Sequence, residues 1–106
     1  MGKYLFQANY TQAGLSGLQR EGGTSRRAAL TATVQSVGGT VEALYYAFGE
    51  WDIYLIVDLP DETAATALSI AIGAAGALNI KVTVLVTPES VDEAIAKSVA
   101  YRPPGA

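Results

Sequence analysis

Residues 3–10 alternate in character. Tyr4, Phe6, Ala8 and Tyr10 fall on one side and Leu5, Gln7 and Asn9 on the other, and this period of two predicts a β-strand. Thr11 offers an N-cap hydroxyl to a helix over 12–20. Gly14 and Gly17 weaken that helix, because glycine costs ~1 kcal/mol relative to alanine in a helix interior. Gly22-Gly23 interrupts or kinks it. Thr24 or Ser25 caps a second stretch, in which Leu30, Val34 and Val37 recur at helical spacing until Gly38-Gly39 ends it. Residues 40–48, rich in Val, Tyr and Phe, predict a second strand, and Gly49-Glu50 a short turn. A third strand over 51–59 puts Trp51, Ile53, Leu55, Val57 and Leu59 on one face and Asp52, Tyr54, Ile56 and Asp58 on the other. So short a connection makes the pair an antiparallel hairpin. Pro60-Asp61-Glu62 opens a helix that runs to Gly73 or Gly76. Residues 80–87 then form a fourth strand with Ile80, Val82, Val84 and Val86 inward. Thr87 caps a last helix, with Pro88 at its first position and Val91 and Ile95 on one side.

The order β-α-β-β-α-β plus a terminal helix predicts an α+β, ferredoxin-like fold built on a four-stranded antiparallel sheet. At 106 residues the chain fits a single domain, expected over 1–99, with a flexible tail over 100–106. Helices cover only one face of such a sheet. The other face here carries Leu5, Gln7, Asn9, Asp52, Tyr54, Ile56, Lys81, Thr83 and Leu85, too apolar for water and too polar for a dry core. Between Glu62 and Lys81 there is no charged residue, so the third helix is uncharged on every side after its first residue. Both features predict a homo-oligomer.

Composition narrows the chemistry. There is no Cys and no His, which removes thiolate nucleophiles, the commonest metal ligand and the usual general base near neutral pH. Neither a metal site nor a cofactor is expected, and catalysis would rest on carboxylates, Tyr, Lys, Arg, Ser or Thr. A net charge of −3 gives no basic face for nucleic acid. The longest nearly apolar stretch, 67–78, is broken by Gly73 and Gly76 and is too short to cross a bilayer of ~20 residues' span. The first residues contain no signal-peptide apolar run, so a cytoplasmic location and no membrane partner are expected.

A leading strand ending Asn9-Tyr10-Thr11, then Gly22-Gly23-Thr24-Ser25-Arg26-Arg27, then Gly38-Gly39 before a Tyr-rich strand, resembles the GYD-domain family. The likeness continues through Gly49-Glu50-Trp51-Asp52, Val57-Asp58-Leu59-Pro60-Asp61 and Gly73-Ala-Ala-Gly76, and covers roughly residues 3–97. It implies an oligomeric α/β barrel of the dimeric kind. The wider group includes cofactor-free monooxygenases, haem-dependent enzymes and small-ligand sensors, and no general biochemical function comes with the family. Two positions depart from its pattern. Trp51 stands where the family name has Tyr, and Asn79-Ile80 where Arg-Thr is expected, which removes an anion site built on that Arg.

The candidate catalytic residues are Asp52, Tyr45 and Tyr54. A carboxylate on a half-apolar, oligomer-covered face suits a general base, and a phenol suits an acid or a group that orients substrate. The alternative for Asp52 is structural, accepting from turn amides or pairing an Arg to fix the hairpin. Candidate ligand-binding residues are Arg26, Tyr10, Glu50 and Trp51. Arg26 and Arg27 in a first helical turn oppose the macrodipole, so Arg26 calls for compensation by Asp52, Glu50 or an anionic ligand. The expected function is small-molecule binding by an oligomer, in the form of a cofactor-free enzyme doing proton-transfer or oxygenase chemistry on a small aromatic or carbonyl compound. The alternatives are a non-catalytic ligand-sensing module and a structural self-assembling subunit.

Overall fold

The computed structural model describes residues 2–106. Its elements are β1 (Gly2–Tyr10), α1 (Gln12–Glu21), α2 (Gly23–Gln35), β2 (Thr40–Tyr46), β3 (Ile53–Leu59), α3 (Glu62–Ala75), β4 (Leu78–Leu85) and α4 (Pro88–Ala96). The four strands form one antiparallel sheet in the order β2-β3-β1-β4, the ferredoxin-like arrangement that the sequence predicts. Among the described residues no helix is long and apolar enough to cross a membrane.

The strand alternation becomes the core directly. Tyr4, Phe6 and Ala8 of β1 and Ile53, Leu55, Val57 and Leu59 of β3 are buried on the helix side, where Leu30 and Val34 of α2 and Ala64, Ala65 and Leu68 of α3 are buried as well. Full burial of side chains such as Ile53 and Val34 contributes ~1.5–3 kcal/mol each. The helices start and stop where local chemistry demands. Asp61 caps α3 by accepting from Ala64 N–H at 2.9 Å, and Gly76 closes it in the left-handed conformation. The break between α1 and α2 falls at Gly22 (φ 87°), so α2 begins earlier than a Thr24 or Ser25 cap would place it and has no side-chain N-cap.

Three details differ from the sequence reading. The β2–β3 connection runs from Ala47 to Asp52 instead of a turn at Gly49-Glu50 alone. A β-bulge between Val41 and Ala43 shifts the register of β2. Finally, β4 is only half covered. Leu78 is buried and Ile80 half-buried, but exposure on that same side rises to 36% at Val82, 65% at Val84 and 67% at Val86. These valines have the parity of core positions, yet α3 lies over only the first half of the strand.

The face opposite the helices is uncovered, as expected. It carries Leu5, Gln7, Tyr54 and Ile56, all half-buried, and an ion cluster in which Lys3 Nζ lies 3.1 Å from both Asp58 Oδ1 and Glu42 Oε2. Beyond β4 the chain departs from the body. No residue of α4 is buried, and residues 97–106 add no regular helix or strand. The molecule is accordingly elongated, 58 × 32 × 23 Å.

Candidate functional site

Three hydrogen bonds of Asp52 organise one end of the sheet. Its N–H donates to Ala8 O and its carbonyl accepts from Ala47 N–H, each at 2.9 Å. Its side-chain Oδ2 accepts from Tyr10 N–H, also at 2.9 Å. The end of β1 and both stems of the hairpin connection are thereby locked together. The second carboxylate oxygen carries no hydrogen bond to any described residue.

Across this end lies α1. Thr11 Oγ1 caps it by accepting from Gly14 N–H (3.2 Å) and donates to Gly76 O (2.8 Å), while Thr11 N–H donates to Ala77 O (2.9 Å). Gly14 is required for this approach, because a Cβ there would stand 2.1 Å from Ala77 O. Pinned so closely at its start, α1 brings Leu15 and Leu18 over the end of the sheet.

The result is an open pocket of about 350 Å³, bounded by Leu15 and Leu18 of α1, Tyr10 and Tyr46 of the strands, Ala47 and Phe48 of the hairpin connection, Gly23, and Asp52. Its walls are predominantly apolar. Phe48 is fully exposed and Leu15 half-exposed at 51%, large apolar side chains that water alone covers in the single chain. Tyr46 OH donates to Gly23 O at 3.1 Å and ties β2 to the α1–α2 junction. The hydroxyl of Tyr10 is buried and has no hydrogen-bond partner among the described residues. Burial pushes its pKa up to about 12; the adjacent Tyr46 phenol adds to the rise and Arg26 opposes it. Tyr10 therefore stays protonated through the neutral range.

The structure distributes the predicted residues unevenly. Asp52 and Tyr10 lie together at the pocket. Arg26 lines an adjoining groove with Tyr10 and Leu18, and its Nη1 lies 3.5 Å from Glu21 Oε2, so its compensating carboxylate is Glu21 instead of Asp52 or Glu50. Arg27 is exposed. Glu50 is exposed and Trp51 half-buried in the hairpin connection, and neither lines the pocket. Tyr45 and Tyr54 face each other across β2 and β3 on the helix-free side, with Tyr45 71% exposed. They are not brought together with the Asp52 carboxylate.

The phenol that does reach the pocket is Tyr46. Strict alternation from Val41, which pairs with buried Val57, would carry Tyr45 to the helix side. The extra residue at the bulge exchanges the two tyrosines, because a one-residue shift moves every later side chain to the opposite face. Nothing in residues 40–46 announces that bulge. The apolar wall from Leu15, Leu18 and Phe48 was equally unmarked, although Leu15 and Leu18 are spaced to share one helical face. Among the described residues no group of three or more His, Cys, Asp and Glu stands together as a metal site.

A split β-α-β sheet with a pocket at one end, under the first helix, defines an α+β protein of the ferredoxin-like class. The GYD domain family model matches residues 4–95, and the chain belongs to that family. No curated protein and no solved structure matches the chain.

Proposed function

We propose that the chain is a small-molecule-binding protein that works as a homo-oligomer, taking a compact, largely apolar ligand into the pocket beside Asp52. The observation that carries this reading is the combination of an apolar wall (Leu15, Leu18, Phe48) with one carboxylate oxygen left unbonded and a phenol, Tyr46, at the same opening. A volume of about 350 Å³ is at the small end of ligand sites, which suits a single substituted aromatic ring. The free oxygen of Asp52 would accept a hydrogen bond from the ligand's hydroxyl or amine. The uncovered sheet face and the outer side of α3, uncharged after Glu62, support self-association.

Ligand-observed NMR with a panel of phenols, anilines and aromatic ketones tests the pocket. Binding that disappears in Leu18→Trp, which fills the pocket, and persists in Tyr45→Phe on the opposite face is the expected result. Binding indifferent to Leu18→Trp, or none across the panel, overturns it.

A second reading, proton transfer, is favoured by the same unbonded oxygen, since a carboxylate within an apolar pocket can remove a proton adjacent to a carbonyl. Deuterium exchange into a bound aromatic ketone in D2O should then fall at least ~100-fold in Asp52→Asn, the usual contribution of a general base. Equal exchange in both proteins leaves binding as the function.

A further inference from the structure

The single chain exposes more surface than a folded protein of its mass should. Its accessible area is 7088 Å² for 11.0 kDa. The scaling for folded monomers gives ~5600 Å² at this mass, so the chain carries an excess of roughly 1500 Å². Its radius of gyration is 17.0 Å. A compact chain of this length would have ~13 Å.

The excess has an identifiable source. From Val86 onward the chain forms an arm: α4 exposes Val91 (45%) and Ile95 (75%) at i and i+4 on one helical face, and Val99 (78%) follows in the non-helical segment beyond it. The body carries a matching deficit. Val82 and Val84 of edge strand β4 have core parity but are 36% and 65% exposed. An unpartnered helix and a vacant helix-sized strip thus occur on the same chain.

We infer that two copies exchange these arms, each seating the Val91–Ile95 face of α4 on its partner's β4. A twofold exchange satisfies both surfaces at once, because an isologous contact uses the same two patches on each copy. Removing the excess from two chains amounts to ~3000 Å², within the range of ~2,000–5,000 Å² typical of obligate homodimers. The observed arm already projects away from its own β4, as exchange demands. This goes beyond the self-association proposed above by naming the segment that makes it. The arm leaves at Leu85, which pairs with Lys3 at one end of β1, whereas the pocket lies at Tyr10 at the other end. Failure of the exchange and failure of ligand binding are therefore separately visible.

The chain contains no cysteine, so engineered pairs report cleanly. Full-length Val84→Cys/Ile95→Cys is oxidised and run under non-reducing denaturing conditions, and the wild-type and Ile95→Glu chains are compared by light scattering. Disulfide-linked dimers in the first protein, together with a dimer-to-monomer shift in Ile95→Glu, are the expected result. An intramolecular disulfide, showing that the arm folds back onto its own β4, overturns the inference. Absence of any disulfide, or an Ile95→Glu chain that keeps the wild-type mass, also overturns it.

Discussion

The backbone N–H of Tyr10 donates to Asp52 Oδ2 at 2.9 Å, so the last residue of β1 is satisfied by a side chain where the sheet runs out. The carboxylate has two tasks. One oxygen finishes the ladder between β1 and β3, and the other borders the pocket. The structural role is carried by Oδ2 alone, which leaves the other oxygen without a hydrogen bond among the described residues.

This division separates two substitutions at one position. Asp52→Asn keeps an oxygen that accepts from Tyr10 N–H, and its unfolding free energy in urea should stay within ~1 kcal/mol of wild type. Asp52→Ala strands a partly buried donor and should cost ~1–3 kcal/mol. Equal losses in the two variants would show that the Tyr10 hydrogen bond does not hold the loop.

Two glycines on α1 should respond in opposite directions. Gly14→Ala gains helix propensity, but its Cβ would sit 2.1 Å from a backbone carbonyl that cannot step aside easily. Forced overpacking of ~1–3 kcal/mol outweighs a propensity gain of ~1 kcal/mol or less. Around Gly17 the nearest atom is the mobile end of Arg20 at 4.0 Å, so Gly17→Ala should stabilise by ~0.5–1 kcal/mol. Thermal unfolding of both variants checks the sign of each.

Tyr10 should titrate late. Its folded-state pKa is raised from 10.0 to about 12, so the folded chain holds the phenolic proton more tightly than the unfolded one. The resulting stabilisation is fully present below pH 10.0 and is lost as pH climbs towards about 12. Lys3, raised by its hydrogen bond to Asp58 first and to Glu42 second, acts in the same direction. The wild type should therefore be compared with Tyr10→Phe. That variant should lose the latest phenolate step in an absorbance titration at high pH. Near neutrality its stability should match or slightly exceed wild type, because the hydroxyl removed is buried and unpartnered. A marked loss at neutral pH would mean that Tyr10 OH makes a stabilising contact.

Much of the fold was legible because β1 and β3 alternate without interruption and the helix ends carry strong signals: Thr11, Asp61, Thr87-Pro88 and Gly76. The meeting of Asp52 with Tyr10 was not legible: alternation puts Asp52 on the helix-free face and Tyr10 on the core face, and they come together because the regular β1–β3 pairing ends at Ala8 and Ile53, where the Asp52 carboxylate accepts from Tyr10 N–H. The remainder depends on the register of β2. The bulge between Val41 and Ala43 exchanges Tyr45 for Tyr46, and a bulge is set by tertiary pairing and not by any local residue type. The partner of Arg26 was missed for a related reason. Glu21 becomes its neighbour only because the chain turns sharply at Gly22. Inward parity at Val82, Val84 and Val86 was correctly read as a strand face, but parity alone does not say where a covering helix stops.

The proposed self-association, on which the exchanged arm depends, is tested most directly by sedimentation velocity of the full chain at micromolar concentration. A species of twice 11.0 kDa or a higher multiple, with monomer absent, is the predicted result. A single stable species at 11.0 kDa, holding 7088 Å² of accessible surface in solution, would contradict it.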